Sequence, residues 1–309
     1  MSTSTPLSND ALWPRAGDWP RSHSGSQAVD VAVIGVPAWR TSLSPTGAHA
    51  TPAAIREALR RYSPALMPSP ANQEGVDLGA LRVIDLGDVE GPDGPEGEAR
   101  TRAAVAEASA HSRLVVALGG DNSVTVATAE GSLGDLETAG LITLDAHYDL
   151  RDGVSNGSPV RRLIEAGLDG RRVVQLGIAD FANSAAYARR AVELGITVVH
   201  LDELRRRGVA AAMLEALEIA GAGGGRIHLD IDVDVCDRSV APGCPASLPG
   251  GLAAWELRAA VRTAASDARV VSADIAEVDA TADTPDGRTV RLAALLVLEL
   301  LAGVALRQP

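Results

Sequence analysis

Eight short runs of Val, Ile, Leu and Ala, spaced by helix-forming stretches, limit this chain more than any other feature of its sequence. They are 31–36, 81–86, 114–118, 140–144, 173–176, 197–200, 227–232 and 270–275. Most are apolar on consecutive residues, the pattern of strands covered on both faces. Helical stretches fall between or after them, near 52–61, 100–110, 123–130, 184–193, 203–219, 253–265 and 290–305, with another beginning near Pro159. Thr51 reads as the N-cap of the first, with Pro52 at N1. Alternation of this kind predicts a doubly wound α/β sheet of about eight parallel strands, with ligands held beyond the strands' carboxyl ends. Residues 1–28, rich in Ser, Pro and Gly, read as a flexible arm that Trp13 and Trp19 tack to the surface. No linker divides the remainder, so 29–309 reads as a single domain.

Hydrophobic residues make up 46% of the 309 positions, enough for a large core, and aromatics only 3%, so that core is aliphatic. A net charge of −12 argues against nucleic acid or an anionic membrane as partner. All 28 basic residues are arginine. The absence of lysine excludes Schiff-base and pyridoxal-phosphate lysine chemistry and the P-loop lysine. Cys236 and Cys244 make neither a disulfide framework nor a zinc-finger spacing and read as packing residues. No signal peptide or 18-residue apolar span is expected, which points to the cytoplasm.

Chemistry concentrates where the strands end. Asp145, His147 and Asp149 follow the apolar run 140–144 at intervals of two, so extended backbone would send all three side chains to one face. Asp232 and Asp234 repeat the spacing after another run. Carboxylates this close repel one another unless a cation neutralises them, and O, N and O donors suit Mn2+. Two such clusters suggest two cations about 3.5 Å apart. His228 and Asp230 lie deeper along the same strand and read as structural. Gly119-Gly120-Asp121-Asn122-Ser123 is either an anion cradle or a plain tight turn. Gly153-Val154-Ser155-Asn156-Gly157 matches a serine-hydrolase elbow but follows its strand too late to form one. Glu277, at the end of the last strand, reads either as the holder of a cationic head group or as a plain strand-end acid.

Taken together these motifs resemble the ureohydrolase family of arginases, agmatinases and formimidoylglutamases. Asp145-Ala146-His147-Tyr148-Asp149 is similar to its D-A-H-x-D signature, and the segment from Asp232 to Gly243 to its D-x-D-x-x-D-P-x-x-A-P-G. Gly119 to Ser123 is similar to its G-G-D-H-S, and Glu277-Val278 to its late glutamate motif. The resemblance covers the chain from about Val31 and implies a three-layer α/β/α fold, a binuclear Mn2+ site and hydrolysis of an amidine or guanidine C–N bond. It also implies a homotrimer or hexamer. By motif, Asp145 and Asp232 would bridge the metals, Asp149 would complete the first site, and His147 with Asp234 the second. Asp149 would orient the attacking water or pass on its proton, and Glu277 would hold the cationic nitrogen.

Several positions depart from the family pattern. Asn122 stands for a metal-binding histidine, as a weaker neutral ligand. Asn156 stands where arginases and agmatinases place a proton-shuttle histidine. Its loop, Ser155-Asn156-Gly157-Ser158-Pro159 with Arg161 beyond, is more like that of formimidoylglutamases. Asn156, Ser158 and Arg161 are therefore expected to bind substrate with Glu277, Arg161 pairing with a carboxylate. Arg238 replaces a proline, and Asp230 replaces a serine without an evident role. The expected activity is conversion of N-formimidoyl-L-glutamate and water to L-glutamate and formamide, a step of histidine degradation. The alternatives are an agmatinase or other guanidine hydrolase, or a metal-poor, non-catalytic member kept for binding.

Overall fold

All eight apolar runs form strands, and they lie side by side in one parallel sheet. The computed structural model describes residues 10–20, 28–70 and 73–307. In chain order the strands are β1 (Val29–Val36), β2 (Val83–Asp88), β3 (Ser112–Gly119), β4 (Gly140–Leu144), β5 (Val173–Ile178), β6 (Thr197–His200), β7 (Ile227–Asp232) and β8 (Val270–Ala276). Their spatial order is β2-β1-β3-β8-β7-β4-β5-β6. The last strands of the chain, β7 and β8, thus fill the middle of the sheet. There Ile227, Leu229, Ile231, Ala273 and Ile275 are fully buried.

Helices cover both faces. On one side α1 (Thr51–Leu59), α7 (Val209–Ala220), α8 (Ala254–Ala265) and α9 (Arg288–Leu306) enclose the largest apolar cluster. On the other, α2 (Gly94–His111), α3 (Val124–Leu133), α4 (Pro159–Glu165) and α5 (Ala185–Glu193) enclose two smaller ones. The three layers match the expected architecture. By length and composition α9 could cross a membrane, contrary to the expectation of no such span. Here it is a core helix against α1 and α8, its Leu296, Leu300 and Leu301 buried. Each such leucine contributes roughly 1.5–3 kcal/mol by leaving water.

Some boundaries differ from the sequence reading. The stretch 203–219 is two helices, α6 (Leu201–Arg207) and α7, because Gly208 takes a φ of 83° that the helix cannot continue through. Thr51 is the first residue of α1 and not its cap. Its buried hydroxyl donates instead to the Val278 carbonyl, tying α1 to the chain just past β8. A two-stranded ribbon, Ala65–Leu66 with Val76–Asp77, was too short to read from sequence. Of the N-terminal arm, residues 1–9 and 21–27 lie outside the described residues. Segment 10–20 is docked: Ala16 is buried and donates its N–H to Tyr62, and Trp19 packs on the core while Trp13 is 53% exposed.

Candidate metal centre and substrate cavity

β3, β4, β7 and β8 deliver the predicted site residues to one end of the sheet, but turns and not strand alternation make them converge. β4 stops at Leu144, and the chain beyond it bends until Asp149 has a φ of 53°. Asp234 sits in a single 3-10 turn, Val233–Val235, whose entry Asp232 caps by accepting the Asp234 N–H at 2.8 Å. One ligand atom each from Asp145, His147 and Asp234 lies within 4.8 Å of the others. His147 Nδ1 is 2.7 Å from Asp234 Oδ2 and 3.3 Å from Asp145 Oδ1. Asp234 Oδ1 accepts the Ala146 N–H at 3.0 Å, locking the two loops together.

Asn122 and Glu277 close the other side. The Asn122 side-chain amide donates to Asp149 Oδ2 at 2.6 Å, while its oxygen accepts the Thr125 hydroxyl at 2.9 Å. The oxygen expected to face a metal is therefore turned toward α3, because Thr125 supplies the donor it needs. Glu277, at a φ of 61°, accepts at Oε1 from the Asn122 N–H and the Asn156 amide, each at 2.8 Å. The Gly119-Gly120 pair serves close approach: a Cβ on Gly120 would stand 1.8 Å from the Ala38 carbonyl oxygen.

Buried charge dominates the electrostatics. Burial, reinforced by Asp234, raises the Asp145 carboxyl to about 6, and Asp145 Oδ2 has no partner among the described residues. Burial likewise raises Asp149 and Asp232, and lifts Glu277 to about 8. At Asp234 burial is outweighed by the charge of His147, and its carboxyl falls below the usual range. Burial opposes protonation of His147, yet Asp234 and Asp145 push its imidazole up to about 12. Such a site has an excess of negative charge and an orphaned carboxylate oxygen, and its donor set fits a divalent cation.

Above the carboxylates opens a cavity of about 640 Å³. His147, Asp149, Asn156, Asp232, Asp234 and Glu277 line it, while Asp145 and Asn122 lie behind them. Two of the expected substrate contacts are elsewhere. Ser158 is fully buried, and its hydroxyl donates to the Ser155 carbonyl at 2.7 Å, closing its own loop. Arg161 points away from the cavity: it donates to the carbonyls of Arg151 (2.6 Å) and Gly153 and pairs with Glu165. The sequence reading also missed residues that do line the cavity, namely Arg151 and Asp152 beside the central motif and Asn183, Tyr187 and Arg190 at α5. The first two adjoin Asp149 and could have been found by proximity. Tyr187 and Arg190 lie on a surface helix with no chemical motif, and Asn183 lies in the loop just before it.

One layer deeper, the register sets Asp230 of β7 between Asp274 of β8 and Thr143 of β4. The His228 ring lies in this layer, bonded to Ser272 Oγ at 2.7 Å and Asp274 Oδ2 at 2.9 Å.

The fold and site define a three-layer α/β protein with a candidate divalent-cation centre at the carboxyl ends of its central strands. A family model described as the arginase family matches residues 29–303, and the chain belongs to that family. It is 36% identical over 291 residues to the formimidoylglutamase of Bacillus subtilis strain 168, spanning 91% of this chain and 89% of that protein. The crystal structure of that formimidoylglutamase superposes with a TM-score of 0.88 at 32% identity, covering 100% of this chain and 97% of the other. A Trypanosoma cruzi formiminoglutamase solved with Mn2+ superposes with a TM-score of 0.84 at 26% identity, over 96% and 99% of the two chains.

Proposed function

We propose that residues 29–309 form a manganese-dependent formimidoylglutamase, acting as a cytoplasmic homo-oligomer, that takes N-formimidoyl-L-glutamate and water to L-glutamate and formamide. The observation that carries this reading is the Asn156–Glu277 hydrogen bond on the wall of a cavity floored by buried carboxylates. With a neutral amide and not an imidazole at that position, Glu277 would be left to hold the amidinium, and the departing amine of glutamate would take its proton from the attacking water by way of Asp149.

In this reading Asp145, His147, Asp149, Asp232 and Asp234 would hold the cations, Asp145 and Asp232 being shared between the Asp149 side and the His147–Asp234 side. Bound cations would supply Lewis-acid polarisation and a water of lowered pKa. Asn122 is a positioning residue here, its amide fixing the Asp149 carboxylate, which orients the attacking water. Glu277 is held at Oε1 by two donors, which leaves Oε2 for the amidine nitrogen. Similarity to formimidoylglutamases over nine-tenths of the chain supports this choice over a guanidine substrate.

The test is direct. Protein reconstituted with Mn2+ releases formamide from N-formimidoyl-L-glutamate and carries two Mn per chain. Urea release from a guanidine, with no formamide, sinks the substrate assignment. Failure to retain any Mn after dialysis against it favours a non-catalytic member of the family.

A further inference from the structure

Groups of both signs line the cavity. Its floor is acidic, with Asp149, Asp232, Asp234 and Glu277, while Arg151 and Arg190 stand on its wall. Arg190 is engaged already: its guanidinium donates to the Leu150 carbonyl at 2.6 Å and to Asp152 at 2.8 Å, and lies over the Tyr187 ring. Arg151 is different. Among the described residues its guanidinium has neither a hydrogen-bond acceptor nor an ion-pair partner, although carboxylates are plentiful in this acidic chain.

An exposed arginine with only water for company is common, but this one is built in. Its N–H donates to the Gly157 carbonyl at 3.0 Å, and its own carbonyl accepts from Arg161 Nε at 2.6 Å, so its backbone is held on both sides. Its side-chain stem crosses Gly157 so closely that a Cβ there would stand 2.7 Å from Arg151 Cδ and 3.1 Å from Nε. Any larger residue at 157 would push that stem aside. Arg161, expected from sequence to meet the substrate, instead anchors the residue beside the cavity.

The geometry points to Arg151 as the residue that binds a carboxylate of the substrate while its amidine lies at the carboxylate floor. The inference rests on the formimidoylglutamase reading, whose substrate carries a cationic amidine beside its α-carboxylate and a second carboxylate at the far end of its side chain. A planar guanidinium on a fixed backbone, without an internal partner, can meet such a group in bidentate fashion. It would also reject amidines or guanidines that bring a cation or an alkyl chain to the same place.

The test compares wild type, Arg151→Ala and Arg151→Lys, each verified for equal Mn content and melting temperature. The substrates are N-formimidoyl-L-glutamate, N-formimidoyl-L-glutamine and N-butylformamidine. Arg151→Ala is expected to raise KM for N-formimidoyl-L-glutamate by about 100-fold with a smaller change in kcat, Arg151→Lys recovering part of the loss. Its kcat/KM for N-butylformamidine, which has no carboxylate, should stay within about threefold of wild type, since no charged contact is removed. If Arg151 takes the side-chain carboxylate, wild type discriminates against the glutamine analogue and Arg151→Ala does not. If it takes the α-carboxylate, the variant loses as much on that analogue as on the parent. An unchanged KM for N-formimidoyl-L-glutamate, or an equal loss on N-butylformamidine, overturns the assignment. Wild type that releases formamide from none of the three removes the underlying reading and this inference with it.

Discussion

The Asn156 side-chain amide donates to Glu277 Oε1 at 2.8 Å, joining two loops 121 residues apart in sequence. Its oxygen accepts the Leu43 N–H at 3.0 Å, so a third loop meets the same group. Asn156→Ala removes the donor that fixes Glu277 and should lower kcat/KM by about 10–100-fold, the range for a hydrogen bond to a charged partner. Asn156→Asp keeps the shape but sets a second carboxylate against Glu277, and should cost more. Steady-state kinetics on the two variants decides. Equal activity in both would mean that Asn156 does not position Glu277.

Asp232 is 3% exposed and sits in the turn that carries Asp234. Asp232→Ala removes a proposed bridging carboxylate and should abolish Mn retention and turnover together. Elemental analysis of the dialysed variant reads the first, formamide release the second. Activity surviving in the variant would refute the bridging role.

Arg161 spans its loop through the carbonyls of Arg151 and Gly153. Arg161→Ala should cost about 1–2 kcal/mol, a modest loss because the freed carbonyls can turn to water. That corresponds to a melting temperature lower by roughly 2–4 °C in a domain of this size. The loop 151–158 should also become more open to proteases. A variant with unchanged melting and proteolysis but no turnover would instead return Arg161 to the substrate.

Removing metal leaves the four buried carboxylates of Asp145, Asp149, Asp232 and Asp234 packed together with His147 as the cation set against them. A chelator should therefore lower the melting temperature and Mn2+ restore it. At a free concentration 100 times the dissociation constant, one bound ion stabilises by about 2.7 kcal/mol. Calorimetry with and without Mn2+ checks this, and identical curves would argue against a metal centre.

The strands were legible because they are buried on both faces, where an apolar run admits few alternatives. Their order was not, since placing β8 between β3 and β7 depends on contacts far apart in sequence. The motif residues Asp145, His147 and Asp234 do meet, but the strand-periodicity argument that brought them together fails beyond Leu144. The chain leaves extended geometry there, and the ligands come together through turns. Arg161 and Ser158 were misplaced for a related reason: residue type near a motif says nothing of which way a loop faces. Tyr187 and Arg190 carry no local signal because a helix wall of a cavity has the same amphipathic pattern as any surface helix.

Three non-glycine residues among those described have a left-handed φ, and two of them are Asp149 and Glu277. Conformations of this kind cost on the order of 1–3 kcal/mol each and persist only where the surroundings enforce them. The rigid sheet and its aliphatic core thus hold the reactive rim under tension. Thermostability and turnover should pull in opposite directions at these two positions: Gly or Asn there would relax the backbone and raise the melting temperature while emptying the site of the carboxylates it was bent to present. An effort to harden this protein for use at high temperature would do better to begin at α8 and α9, far from that rim.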